Sequence, residues 1–238
     1  WSPDGQWLAF RAQDGEGGEA IYAVRSDGSG LRNVASAESV PAEGAPYIAD
    51  GWVGSNVLLR SGGSGETPHL YLVDVLTTRV TTLSGNAMTS SHLVPSPAND
   101  LLAVAGYEGR RVALDLVTLD GAEVQRLAEF HDGGIHPLIW SPDGSQLAFG
   151  HTSESAPEAN QNAYMVGQDG LGMRQVYSGQ TVDNLVFSPD GQYLLVEGST
   201  STGQRLFVVS LPTLERRLLQ APSLSLTDSW IAASWQSP

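Results

Sequence analysis

The sequence predicts an all-β fold: a β-propeller of four-stranded antiparallel blades. A short motif returns at an interval that fits one blade. Each interval holds several apolar runs of strand length, separated by turn residues. No segment keeps apolar residues at helical spacing over three turns. The 238 residues are enough for one large all-β domain.

The motif is Trp1-Ser2-Pro3-Asp4-Gly5, returning as Trp140-Ser141-Pro142-Asp143-Gly144 and as Phe187-Ser188-Pro189-Asp190-Gly191. Degenerate copies are Trp52-Val53-Gly54-Ser55-Asn56 and Pro95-Ser96-Pro97-Ala98-Asn99, and Trp235-Gln236-Ser237-Pro238 is a partial last one. The starts at 1, 52, 95, 140, 187 and 235 give periods of 51, 43, 45, 47 and 48 residues, as for a propeller blade. Proline fixes φ at the second position of a tight turn, Asp and Gly suit the positions after it, and Ser can bond locally. The motif residues are therefore expected to be structural, with the aromatic ending one strand and packing between sheets.

Within each period the runs come in a fixed order. The first follows the motif, as in Trp7 to Phe10, Val57 to Leu59, Leu101 to Val104, Leu147 to Phe149 and Tyr193 to Val196. After a Gly- or acid-rich loop comes a second run, such as Ile21 to Val24 or Leu206 to Val209. A turn such as Asp27-Gly28 or Asp169-Gly170 leads to a third, for example Arg174 to Tyr177. The fourth precedes the next motif, as in Ile135 to Trp140. β-branched and aromatic content and the turn residues at both ends mark these runs as strands.

Charge excludes several partners. Twelve basic residues, all arginine, stand against 26 acids, for a net charge of −14. Nucleic acid needs a basic footprint, and anionic membrane disfavours such a chain. No stretch approaches 18 consecutive apolar residues, so no membrane insertion is expected. The absence of cysteine removes disulfides, thiolate zinc sites and a cysteine nucleophile. No Gly-x-Ser-x-Gly, His-Glu-x-x-His, phosphate-binding or dinucleotide motif is present. No cofactor and a monomeric state are expected.

Trp/Phe-Ser-Pro-Asp-Gly followed by Leu-Ala-Phe resembles the WD-like repeat of TolB-type periplasmic propeller proteins. The same repeat occurs in propellers of prolyl-oligopeptidase-family peptidases and in sensor regions of bacterial regulators. The resemblance spans essentially the whole chain and speaks to fold rather than activity. It implies a bacterial, periplasmic or extracellular setting and a non-catalytic module binding a protein or a small polar or cationic ligand. The alternatives it leaves are the gating propeller of a serine peptidase, or a propeller enzyme with clustered carboxylates or a metal. Five periods predict five blades, with residues 229–235 as a last strand that completes the first blade. The other arrangement is a part of a larger ring, since TolB-like propellers have six blades.

Function is expected on the face carrying the long loops. That face is acid-rich, a pattern that serves solubility and also attracts cations. His92, His136 and Asp183 are the candidate ligand-binding residues at the channel mouth. His136 lies four residues before Trp140 and Asp183 four before Phe187, so the two hold equivalent places on successive inner strands. Histidine and carboxylate together suit a cation or a polar ligand.

Overall fold

The computed structural model describes residues 1–13, 18–36, 39–40, 48–61, 69–83, 89–98, 100–119, 123–155, 161–200 and 203–219. Among them the backbone forms nineteen strands and no helix. The first sheet is β1 (Trp7–Gln13), β2 (Glu19–Arg25) and β3 (Arg32–Ser36), and the second is β4 (Ile48–Val53), β5 (Asn56–Ser61), β6 (His69–Asp74) and β7 (Val80–Leu83). The third is β8 (Thr89–Pro95), β9 (Leu101–Glu108), β10 (Arg111–Thr118) and β11 (Glu123–Phe130). The fourth is β12 (Gly134–Trp140), β13 (Gln146–Thr152), β14 (Gln161–Gly167) and β15 (Arg174–Gly179). The fifth is β16 (Asn184–Phe187), β17 (Tyr193–Thr200), β18 (Gly203–Ser210) and β19 (Arg216–Leu218). Each sheet runs in chain order, as hairpin-connected antiparallel strands do. The expected closing strand, residues 229–235, lies outside the described residues.

The motif works as a hydrogen-bonded hub. In its three full copies the serine hydroxyl donates to the Asp two residues on, at 2.6 Å each time: Ser2 to Asp4, Ser141 to Asp143 and Ser188 to Asp190. The same oxygen accepts the backbone N–H of the residue that opens the next strand region, from Trp7 at 2.8 Å, Gln146 at 3.0 Å and Tyr193 at 2.9 Å. The three serines are buried and the glycine takes a left-handed φ of 66° to 72°, which explains both residue types. The copy at 95 keeps the hub although it lacks Asp-Gly. Ser96 donates to Asp100 at 2.8 Å and accepts from Leu101 at 3.2 Å, so the carboxylate has moved two residues along. The copy at 52 is different: Val53 pairs with Asn56 across a two-residue turn at Gly54-Ser55.

The motif aromatics split. Trp52, Trp140 and Phe187 are buried at the ends of β4, β12 and β16. Trp1 is instead 66 % exposed, which corrects the expectation that it packs between sheets. The physical reason is that, among the described residues, the first sheet starts at Trp7, so none of its described strands carries Trp1 inward.

The contacts group into two units, Trp1–Val104 with Val117–Val124, and Ala105–Leu116 with Gln125–Pro238. In the first, Trp7, Ile21, Val34 and Ala35 pack against Trp52, Val57, Tyr71 and Val73, joining sheets one and two. Arg32 reaches from β3 to the carbonyls of Val75 and Leu76, at 3.2 and 3.0 Å, and its guanidinium lies over the Trp7 ring. In the second, Ala148, Ala163 and Met165 of sheet four pack against Phe187, Leu194, Val196 and Val209 of sheet five. The alternation of β13 and β17 places these residues on one face.

Ser141→Ala removes a buried hydroxyl and strands the Gln146 N–H, so it should cost about 1–3 kcal/mol in urea unfolding. Pro142→Ala, which touches only chain entropy, should cost about 0.4–1 kcal/mol. The Ser141 hydroxyl above all, and then the Ser145 N–H, holds the Asp143 carboxyl below its usual range. That stability is present above the ordinary aspartate value near about 3.9 and is lost as pH falls through the lowered one. In the Ser141→Ala protein the Asp143 carboxyl should return toward its ordinary value, so the acid loss between the two values should shrink; an acid limb of unchanged size would contradict the hub.

Candidate functional site

The second unit brings His136 and Asp183 together, as equivalent positions on successive first strands. β12 departs from regular pairing at His136. The β12–β13 register shifts between Ile135 and Leu138, so His136 and Pro137 stand out of the ladder. A bulge of this kind re-aims a side chain, and His136 stays exposed as a residue although part of its ring is covered. The peptide bond between His136 and Pro137 is cis. Gly150 on β13 makes room for it: a Cβ there would overlap the His136 carbonyl and lie 3.1 Å from Pro137 Cδ.

Asp183 is held just before β16. Its N–H donates to the Glu197 carbonyl at 2.8 Å, and its Oδ2 accepts the Thr181 hydroxyl at 2.8 Å. Thr181 Oγ1 in turn accepts the Ser199 N–H at 2.7 Å. The carboxylate is exposed but fixed. Register places Asn184 opposite Glu197 on β17.

Two further residues belong to this cluster and were not expected. Glu197 is 6 % exposed, a carboxyl inside an apolar strand. Burial, and then the negative charge of Asp183, push it above the usual glutamate range. The one signal in the sequence is an acid after Leu194-Leu195-Val196, at a position where alternation calls for a buried residue. Tyr177 on β15 is 3 % exposed, and its hydroxyl has no hydrogen-bond partner among the described residues. Burial raises its pKa; Arg216 opposes the rise and Asp183 adds to it. A Cβ on Gly198 would lie 3.3 Å from that hydroxyl, so tyrosine and glycine fit together. A lone tyrosine in an outer strand carries no sequence signal.

Asp183 is the charge common to the cluster, acting on His136, Glu197 and Tyr177. At His136 the burial of part of the ring environment outweighs it and lowers the pKa below the ordinary histidine value. The shift favours the neutral imidazole, in which one ring nitrogen carries a hydrogen and the other is an acceptor. His92 lies half-buried on β8 in the first unit. Among the described residues no group of three His, Asp or Glu side chains could hold a metal ion.

Several described residues of the acid-rich face have structural roles. His151 is not a loop histidine: it is 6 % exposed on β13, its ring stacks on Phe130 at 3.8 Å, and its Nε2 is 2.9 Å from the Asp132 carbonyl. The carbonyl can only accept, so Nε2 carries the hydrogen. Strand β13 simply runs further than its apolar residues do. Glu108, Asp115 and Glu129 surround Arg126 at 2.5, 2.9 and 2.8 Å. These acids brace one sheet rather than wait for a ligand.

Gly150→Ala should cost about 1–3 kcal/mol by overpacking and should displace His136, read by unfolding and by the His136 ring resonances. His136 and His151 are both lowered by burial, so their share of stability is present above about pH 6.5 and lost as pH falls through their folded values. Glu197 is raised, so its share is present below its unfolded value and lost as pH rises through the folded one. Glu197→Gln should remove only that second limb from a stability–pH curve; a curve unchanged in shape would contradict the buried carboxyl.

No protein-family model matches the chain, and no curated protein matches it. Solved structures do. TolB from Acinetobacter baumannii superposes with a TM-score of 0.62 at 15 % identity, over 92 % of this chain and 54 % of that one. Oligogalacturonate lyase from Vibrio parahaemolyticus gives 0.65 at 14 %, over 92 % and 62 %. Puromycin hydrolase gives 0.63 at 19 %, over 90 % and 37 %. At these identities the likeness shows the fold, and the fold is that of a β-propeller: the sheets are blades. The chain spans about half the length of the Acinetobacter TolB that it matches.

Proposed function

We propose that this chain is a non-catalytic propeller module that binds a protein or a small polar or cationic ligand where sheets four and five present His136 and Asp183. The observation that carries the reading is Asp183 itself. It is an exposed carboxylate locked in place by its own N–H and by Thr181, beside a neutral imidazole. Preorganised acceptors of this kind lose little entropy on binding. The net charge of −14 adds a long-range attraction for cations. The likeness to TolB structures fits a module of this sort, and the resemblance of the motif to TolB-type repeats fits an extracytoplasmic setting.

His92, the remaining candidate, is tested separately by His92→Gln. The direct test is a nuclear magnetic resonance titration of the purified chain with an arginine-containing peptide and with putrescine. The His136 ring and the Asp183 amide should shift together, and added salt should weaken the response. Asp183→Asn should weaken binding about tenfold, equal to about 1.4 kcal/mol. Shifts confined to the turns between β14 and β15 or between β18 and β19, or none anywhere, would overturn the proposal.

A further inference from the structure

Sheet four has a second opening, at the other end of its strands from His136. Gln146 begins β13, and Gly150, which makes room for His136, lies about 13 Å further along the strand. We propose that this opening is a carboxylate-binding site, independent of the one above. Its ligand is a small monoanion made of a carboxylate, an amide and an aliphatic side chain: an N-acylated amino acid or the free C-terminal residue of a peptide.

The opening is a cavity of about 640 Å³ whose lining includes Ser145, Gln146, Met165, Gln168, Leu171 and Arg174. Strand pairing explains why the space exists. Gln146 lies opposite Gly167 and Met165 opposite Arg174, and positions 165 and 167 share one face of β14. Glycine adds no side chain, so Gln146 and Arg174 flank an unfilled position beside the buried Met165. The rim is fixed by hydrogen bonds. Gln168 donates its N–H to the Ser145 carbonyl and Gly167 its N–H to the Leu171 carbonyl, both at 2.9 Å. The Leu171 N–H donates to Asp169 Oδ1 at 3.0 Å, and the Gln125 amide on β11 donates to the Asp169 carbonyl at 2.6 Å. A rim held in this way loses little freedom on binding.

The groups left over define the ligand. The Arg174 guanidinium has no hydrogen-bond or ion-pair partner among the described residues. By contrast, Arg11, Arg111 and Arg126 are paired with acids, and Arg25, Arg32 and Arg216 lie over aromatic rings. A planar guanidinium takes a carboxylate through two parallel N–H donors. The carboxamides of Gln146 and Gln168 are also without a partner among the described residues, and each can donate to a ligand carbonyl and accept a ligand N–H. Leu171, at 70 % exposure, offers an apolar surface for an aliphatic group. The acids nearby limit the ligand to one negative charge. Asp169 lines the cavity, and Asp143 accepts the Ser145 hydroxyl at 2.8 Å. Both repel the second charge of a phosphate or a dicarboxylate, as does the net charge of −14.

Nuclear magnetic resonance titration of the full chain with N-acetyl-L-leucine reads the site. The amides of Gly167, Gln168, Leu171 and Arg174 should shift together, with a dissociation constant on the order of 1 mM for so small a ligand, while His136 and Asp183 stay in place. N-acetyl-L-leucine amide, which lacks the carboxylate, should bind about tenfold more weakly. Arg174→Gln, at an exposed position, should keep the melting temperature, weaken the acid about tenfold and leave the amide unchanged. Leu171→Ala should weaken both about threefold. Acetyl-Gly-Gly-Leu separates the two sources: tighter binding than the acetylated amino acid identifies a peptide end, equal binding a free acid, and both support the site. Equal binding of the acid and its amide, or acid binding unchanged in Arg174→Gln, overturns the carboxylate assignment. Tighter binding of inorganic phosphate overturns the ligand class. No response between β14 and β15 at about 20 mM acid removes the site and leaves the reading of His136 and Asp183 standing.

Discussion

A single oxygen atom in four of the motif turns organises the sheets that follow them. The motif serine gives its hydrogen to a carboxylate and takes one from the N–H that opens the following strand region. Each partner is thereby satisfied although the serine is buried. The bond fixes where one strand ends and at what angle the next begins. Everything further along a sheet inherits that geometry, because hairpin registers propagate from their first pair. Proline and glycine serve the same hub, one by restricting φ and the other by accepting a left-handed φ.

The hub explains which parts of the sequence are informative. Ser-Pro-Asp-Gly is legible because four residue types are needed at adjacent positions. At Ser96 the carboxylate arrives from Asp100 instead, so the same contact survives without the same spelling. The copy at 52 reaches its strand pairing by a two-residue turn and keeps only the buried tryptophan. Period and turn chemistry thus reveal sheets and their order. Strand ends are less legible, since Glu108 and His151 extend β9 and β13 through partners far along the chain, Arg126 and Asp132.

The site follows a different logic. His136 and Asp183 were visible because repetition puts them at matching positions before their aromatics. Glu197 and Tyr177 join them only through tertiary packing: one sits on the neighbouring strand opposite Asn184, the other ends close to a glycine. No local spacing encodes such a meeting. Its chemical character also arises from packing, since burial and one fixed carboxylate keep an imidazole neutral and a glutamate protonated to higher pH. The scaffold is written in the repeat, and the site is written in the departures from it: a bulge at His136 and an acid directly after Leu194, Leu195 and Val196 in β17.

Amide hydrogen exchange tests the central claim most directly. The Gln146 and Tyr193 amides sit at strand openings, where fraying would ordinarily let them exchange quickly. Bonded to a buried serine oxygen, they should be protected as strongly as the mid-strand amides of Ala148 and Leu195. Exchange at the rate of exposed turn amides would show that the serine hub does not hold the sheets in place.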